Sequence, residues 1–206
     1  MNKFLHMLLA CVALSLWNGA SAAVIDGTLQ AVDADGDGKP QELKVARVAF
    51  AVSAATRLFF DTLVMEPDGD LNGDGFITGF DAELRLFDGR TVLAANDDSP
   101  FTYGDGSQHV YDPALGWLFG KAGTYMVSIG LRGYSDIDAL QGYQAGRTYG
   151  PYYGNRDFGA WRLSVNALSG SVGNVHEIGT PVPEPGTPAL FGAALLGAGW
   201  LRRRRA

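Results

Sequence analysis

Cysteine is almost absent from this chain. The single residue, Cys11, lies inside an apolar N-terminal run, so a domain that starts after that run has no thiol and no disulfide. Such a domain must be held by its core, with bound metal as an added brace. Histidine is scarce too. His6 shares the N-terminal run, and neither His109 nor His176 belongs to the short His/Cys spacings of zinc centres. The chain has no Gly-x-Ser-x-Gly elbow, no nucleophilic cysteine outside the run and no phosphate-binding glycine loop. Paired acids can hydrolyse glycosides, but here Asp and Asn gather with Gly in turn-like clusters. These absences point away from an enzyme and leave an uncharacterised hydrolase as a distant alternative. Helical periodicity is scarce throughout.

The first 22 residues have the layout of a secretory signal. Lys3 supplies the positive start, Leu5 to Trp17 is apolar, and Ala20-Ser21-Ala22 is a small-x-small cleavage pattern that places the mature start at Ala23. A buried globular helix would carry a polar face, which this run lacks. Leu8-Leu9-Ala10-Cys11 imitates a lipoprotein site, yet the apolar run continues past it. Signal peptidase is thus an expected partner.

At the other end, Pro181-Val182-Pro183-Glu184-Pro185 precedes an uncharged segment, Pro188–Leu201, and four arginines, Arg202–Arg205. The prolines exclude helix and central strand, so this stretch is expected to be extended. At about 1.5 Å per residue the apolar segment is short for a hydrocarbon core of about 30 Å, unless Thr187 and the arginine stems contribute. The arginines belong on the cytoplasmic side. Losing Lys3 and these arginines takes the formal charge from −6 to about −11. That acidity opposes nucleic-acid binding and attracts cations.

The order of motif, short helix and basic end resembles the PEP-CTERM sorting signal, with Val182, Pro183, Glu184 and Pro185 as the motif. The resemblance implies an exosortase-type membrane protease as partner, with loss of the tail after recognition. It also implies the envelope of a Gram-negative, exopolysaccharide-producing cell. A permanent membrane anchor is the alternative.

Between the ends, short apolar runs alternate with Gly, Asp, Asn and Pro. Val45–Val52 is expected to be a buried strand, and Arg57–Phe60 the start of another. Glu83–Leu86 alternates as a half-buried strand does, and Asp88-Gly89 turns the chain into Thr91–Ala95. Tyr125, Val127, Ile129 and Leu131 share one face, as do Trp161, Leu163 and Val165. Seven or eight strands of this kind predict an all-β fold, an antiparallel β-sandwich of jelly-roll or Ig-like type. The expected organisation is a signal at 1–22, the sandwich at 23–168, a linker at 169–182 and the sorting signal at 183–206. Phe80–Gly89, Leu93–Asp98, Asp112–Leu115 and Ala122–Val127 together resemble the bacterial pre-peptidase C-terminal domain. That resemblance implies a small accessory β-sandwich outside the cell and brings no catalytic residue.

Asp70-Leu71-Asn72-Gly73-Asp74-Gly75-Phe76-Ile77-Thr78-Gly79-Phe80-Asp81 has the ligand spacing of an EF-hand-type calcium loop. Asp70, Asn72, Asp74, Thr78 and Asp81 offer side-chain oxygens, and Phe76 offers its carbonyl. The twelfth residue is Asp where Glu is usual, and Pro67-Asp68-Gly69 excludes a preceding helix. The competing reading is a turn-forming Asp/Gly loop. Asp33, Asp35 and Asp37 repeat the first half of the motif, but Lys44 stands at the twelfth position, so a solvated acidic turn competes equally. Asn96-Asp97-Asp98 reads as a turn. Tyr134, Tyr143, Tyr149, Tyr152 and Tyr153 fall in a Gly-rich stretch with Arg147 and Arg156. Tyr149, Tyr152 and Tyr153 would stack on sugar rings if exposed and would pack the loop onto the sandwich if not.

The sequence reading is therefore a calcium-stabilised, exported surface or matrix protein with an adhesive or structural role linked to exopolysaccharide. A carbohydrate-binding module using the tyrosines is the alternative.

Overall fold

A computed structural model describes residues 22–33, 36–65, 79–99, 109–145, 151–152, 155–156 and 158–179, with 151–152 and 155–156 described by their backbone alone. The expected signal helix and C-terminal membrane helix lie outside the described residues. Among the described residues, no helix is long and apolar enough to cross a membrane.

In chain order, β1 (Ala22–Thr28), β2 (Ala31–Val32), β3 (Glu42–Lys44), β4 (Ala46–Val52), β5 (Thr56–Leu63), β6 (Ala82–Asp88), β7 (Thr91–Asn96), β8 (Ala114–Phe119) and β9 (Gly123–Leu131) precede a short helix, α1 (Asp136–Gln141). They are followed by β10 (Tyr143–Ala145), β11 (Pro151–Tyr152), β12 (Asn155–Arg156), β13 (Ala160–Ser169) and β14 (Val172–Glu177). One sheet runs β1-β13-β5-β8 and the other β14-β4-β9-β6-β7, and every pairing is antiparallel. The small β10-β3-β2 sheet and the β11–β12 pair lie outside these two. The fold is all-β, as the short alternating runs predict.

Apolar alternation dictates how the sheets meet. Tyr125, Val127, Ile129 and Leu131 of β9 point to the core, as do Trp161, Leu163 and Val165 of β13. Phe50 of β4 lies at the centre, its ring 5.2 Å from Phe60 of β5 and 5.7 Å from Phe119 of β8. Rings from opposing sheets thus interlock, and truncating such a ring to alanine costs about 3–5 kcal/mol. At the edge of the core, a Cβ on Gly27 would fall 2.2 Å from the fully buried Trp161 ring, so only glycine lets β1 lie against β13 here. Asp88-Gly89 makes the expected turn between β6 and β7, with Gly89 at φ +57°. Among the links that join strands of the two main sheets, this is a hairpin within one sheet, whereas β4 to β5, β5 to β6, β7 to β8, β8 to β9 and β13 to β14 cross between sheets.

Three expectations are corrected. Nine strands, not seven or eight, build the two main sheets. Glu83–Leu86 is not half-buried: Glu83 is 8% exposed and Arg85 only partly exposed. The outer face of β6 is roofed by the segment after β9, where Phe87, Tyr134, Ala139 and Val45 form a second small core. The third correction concerns 169–182, expected to be linker. Ser169 ends β13, and Val172–Glu177 is β14, paired with β4 at the sheet edge with a bulge between Gly173 and His176. Its weak periodicity reflects an edge strand whose buried anchor is Val172.

Candidate functional site

Three groups of polar residues are candidates, and the register places two of them at one end of the sandwich. Ala82 of β6 faces Leu131 at the end of β9, and Ile129 faces Ala46 at the start of β4. Asp81, the last position of the expected calcium loop, therefore sits at the end of the sandwich where β4 begins.

Asp81 is half-buried. Arg132 binds it through the backbone, N to O at 2.8 Å, and more loosely through the guanidinium, Nη1 to Oδ2 at 3.4 Å. The same guanidinium reaches Asp97 Oδ2 at 3.2 Å. The other carboxylate oxygen, Asp81 Oδ1, is buried and has no hydrogen-bond partner among the described residues. Burial holds the Asp81 carboxyl above its usual value; Arg132 pulls it down, while Asp98 and Asp97 push it up. Asp70, Asn72, Asp74, Phe76 and Thr78 lie outside the described residues. Among the described residues no three His, Cys, Asp or Glu side chains gather closely enough to hold a metal.

The second acidic loop is folded on itself. Asp33 Oδ1 accepts the Gly36 N–H at 2.8 Å, and Oδ2 accepts the Gly38 N–H at 2.7 Å. Asp37 Oδ1 accepts the Lys39 N–H at 2.8 Å. Both Asp33 and Asp37 thus order their own turn; Asp35 lies outside the described residues.

The tyrosines divide. Tyr134 is 1% exposed, and its hydroxyl is bound to Ser128 Oγ at 2.8 Å and to the Glu83 carbonyl at 3.2 Å. Burial pushes its phenol far up, well beyond reach of ionisation. It packs the roof and cannot face a glycan. Tyr143 is exposed. Tyr152 pairs with Asn155 in β11–β12, described by backbone alone, and Tyr149 and Tyr153 lie outside the described residues. Both remaining histidines serve their turns: His109 Nδ1 accepts the Tyr111 N–H, and His176 Nδ1 lies 2.7 Å from the Asn174 carbonyl.

The third group escaped the sequence reading. A polar cleft of about 380 Å³ opens between the edge strands β1 and β14. Leu29, Val45 and Ala46 form its buried floor, and Gln30, Lys44, Arg47 and Glu177 its polar walls. Lys44 Nζ donates to Gln30 Oε1 at 3.1 Å, and Arg47 Nη1 to the Leu140 carbonyl at 2.9 Å. The Ile178 N–H donates to the Arg47 carbonyl, so the chain after β14 is fastened to the rim. One wall of the cleft is made by Glu177, Ile178 and Gly179, within the stretch whose composition reads as linker. Arg132 was more legible: it follows Leu131, one step beyond the alternating run of β9.

The molecule so described is an acidic all-β domain whose last described strand, β14, ends at Glu177, four residues before Pro181 of the proline-rich tail. That tail, with Val182, Pro183, Glu184 and Pro185, lies outside the described residues. A family model of the PEP-CTERM protein-sorting motif matches residues 181–205. The match supports an exported PEP-CTERM protein, sorted by exosortase and membrane-associated before cleavage. No curated protein matches the chain.

Proposed function

We propose that this chain is a calcium-stabilised β-sandwich displayed at, or released from, the envelope of a Gram-negative cell, with an adhesive or structural role in an exopolysaccharide matrix. The observation that carries the reading is the sorting motif at 181–205, which begins two residues after Gly179, the last described residue. Exosortase-type processing places the domain outside the membrane, and an accessory sandwich resembling pre-peptidase C-terminal domains suits that place. Calcium is supported by the loop spacing and by Asp81, whose buried Oδ1 has no partner among the described residues and which lies near Asp97 and Asp98. A divalent cation would relieve that crowding of negative charge.

The test is binding of the purified, tail-processed protein to the exopolysaccharide of its own host, in calcium and then in chelator. Retention that disappears with chelator is expected. Retention lost instead on alanine replacement of Tyr149, Tyr152 and Tyr153, with folding intact, would replace the structural role by a carbohydrate-binding one. Turnover of glycan or peptide would replace both by hydrolysis.

A further inference from the structure

We propose that the tail-exit end of the sandwich, the rim of the β1–β14 cleft, is a docking surface for the membrane protease that removes the tail. This rests on the sorting reading above and adds where the protease must touch the folded domain.

The argument is one of chain length. Had 169–182 been linker, fourteen residues would have separated the domain from Pro183 and allowed the protease to work far from it. β14 occupies six of those residues, and the Ile178 N–H is bonded to the Arg47 carbonyl. Only Thr180, Pro181 and Val182 remain between Gly179 and Pro183. Four extended steps reach at most about 14 Å. A single helix with its side chains is about 10–12 Å across. A protein that closes around Pro183-Glu184-Pro185 therefore meets the rim, unless β14 is first stripped from β4.

That rim is suited to contact. Thr28, Gln30 and Lys44 are exposed, and Ile178 offers an apolar side chain 37% exposed beside Gly179. Below them the buried Leu29, Val45 and Ala46 keep the rim rigid. Lys44 is the cation on this rim that solvent reaches freely, since Arg47 is partly buried and tied to Leu140. A mixed polar and apolar face, on which the exposed Lys44 is held to Gln30 with Glu177 in the wall behind it, fits a protein loop whose acidic group reaches Lys44 at the rim.

The experiment uses the full chain in its own host. A photo-crosslinking residue replaces Thr28 on the rim or, as control, Leu118, which is exposed at the other end of the strands on the far edge. The expected result is an adduct containing the exosortase-type protease from position 28 and none from position 118, lost when Pro183, Glu184 and Pro185 become alanine. A second arm follows tail removal by mass spectrometry in Lys44→Glu, with and without a 20-residue Gly/Ser spacer inserted after Gly179. At native spacing Lys44→Glu is expected to slow removal about fivefold or more, and the spacer should abolish the difference between Lys44→Glu and wild type. Equal adducts at both positions, adducts with lipid alone, or wild-type trimming of Lys44→Glu at native spacing would overturn the docking surface. A wild-type chain that is never cut near Pro183 would instead overturn the sorting reading, so the two failures are distinct.

Discussion

Tyr134, which opens the tyrosine-rich stretch, is a structural pin. Its phenol is enclosed by Ser128 and Glu83 on one side, and the Arg85 guanidinium lies 5.0 Å over the ring. Arg85 in turn bridges Glu83, at 2.7 Å, and Asp136 of α1. Tyr134→Phe would leave the Ser128 hydroxyl and the Glu83 carbonyl without that partner in a buried site. The expected loss is about 1–3 kcal/mol of stability, measured by urea unfolding with an unchanged slope. Glu177 permits a test with a sign. Burial raises its carboxyl above the ordinary 4.5, against the pull of Lys44. An acid whose pKa is higher in the folded state helps folding below its unfolded value. That help is lost as pH rises through the folded value. Glu177→Gln is therefore expected to melt higher than wild type at pH 7 and to match it below pH 4.5. Parallel Tm curves for the two proteins across that range would show that Glu177 does not titrate as its burial requires.

Among the elements, β14 separates the two accounts of the C-terminal region. A full chain shortened to end at Ser169 should lose substantial stability, because Val172 leaves the core and β4 gains an open edge. If 169–179 were linker, chains ending at 169 and 179 would melt alike in a differential scanning trace. The same strand marks the limit of what the sequence discloses. Strands that bury one face in a two-sided sandwich, such as β9 and β13, carry strict alternation and are legible, and so is the Asp88-Gly89 turn. β14 buries Val172 and is otherwise half-exposed, so its periodicity is diluted. β6 was legible as a strand but not as a covered one. Its Glu83 and Arg85 look solvated until the roof from Arg132 to Leu140 is in place, and that roof pairs residues about fifty apart in sequence. The cleft was illegible for the same reason: its walls come from β1, β3, β4 and β14, and only a topology brings them together.

At the scale of the whole molecule, one end of the sandwich gathers the features that bear on function. Asp81 lies there, Arg132 meets both it and Asp97 there, and β14 ends at the same end. A domain without disulfides, carrying a net negative charge, has the half-buried Asp81 carboxylate at the end from which the tail leaves. Calcium bound by the Asp70–Asp81 loop would then stabilise the fold where it is tethered. Binding to the folded state alone adds RT ln(1 + [L]/Kd), which is about 2.7 kcal/mol at a hundredfold excess over Kd. For a domain of this size that corresponds to a rise of roughly 5–10 °C in Tm. The expected measurement is a calcium-dependent Tm that chelator reverses. Asp81→Asn should remove most of the rise, since an amide gives the ion one neutral oxygen in place of a carboxylate. Asp33→Asn, whose parent carboxylate is already engaged by Gly36 and Gly38, is the informative partner. If its calcium response equals that of wild type, the ion is held at Asp81 alone. If both variants lose the response, the two loops bind ions that act together, and Asp33 is more than a turn. A wild-type Tm indifferent to calcium and chelator would leave Arg132 as the only relief for Asp81, and the loop as a turn.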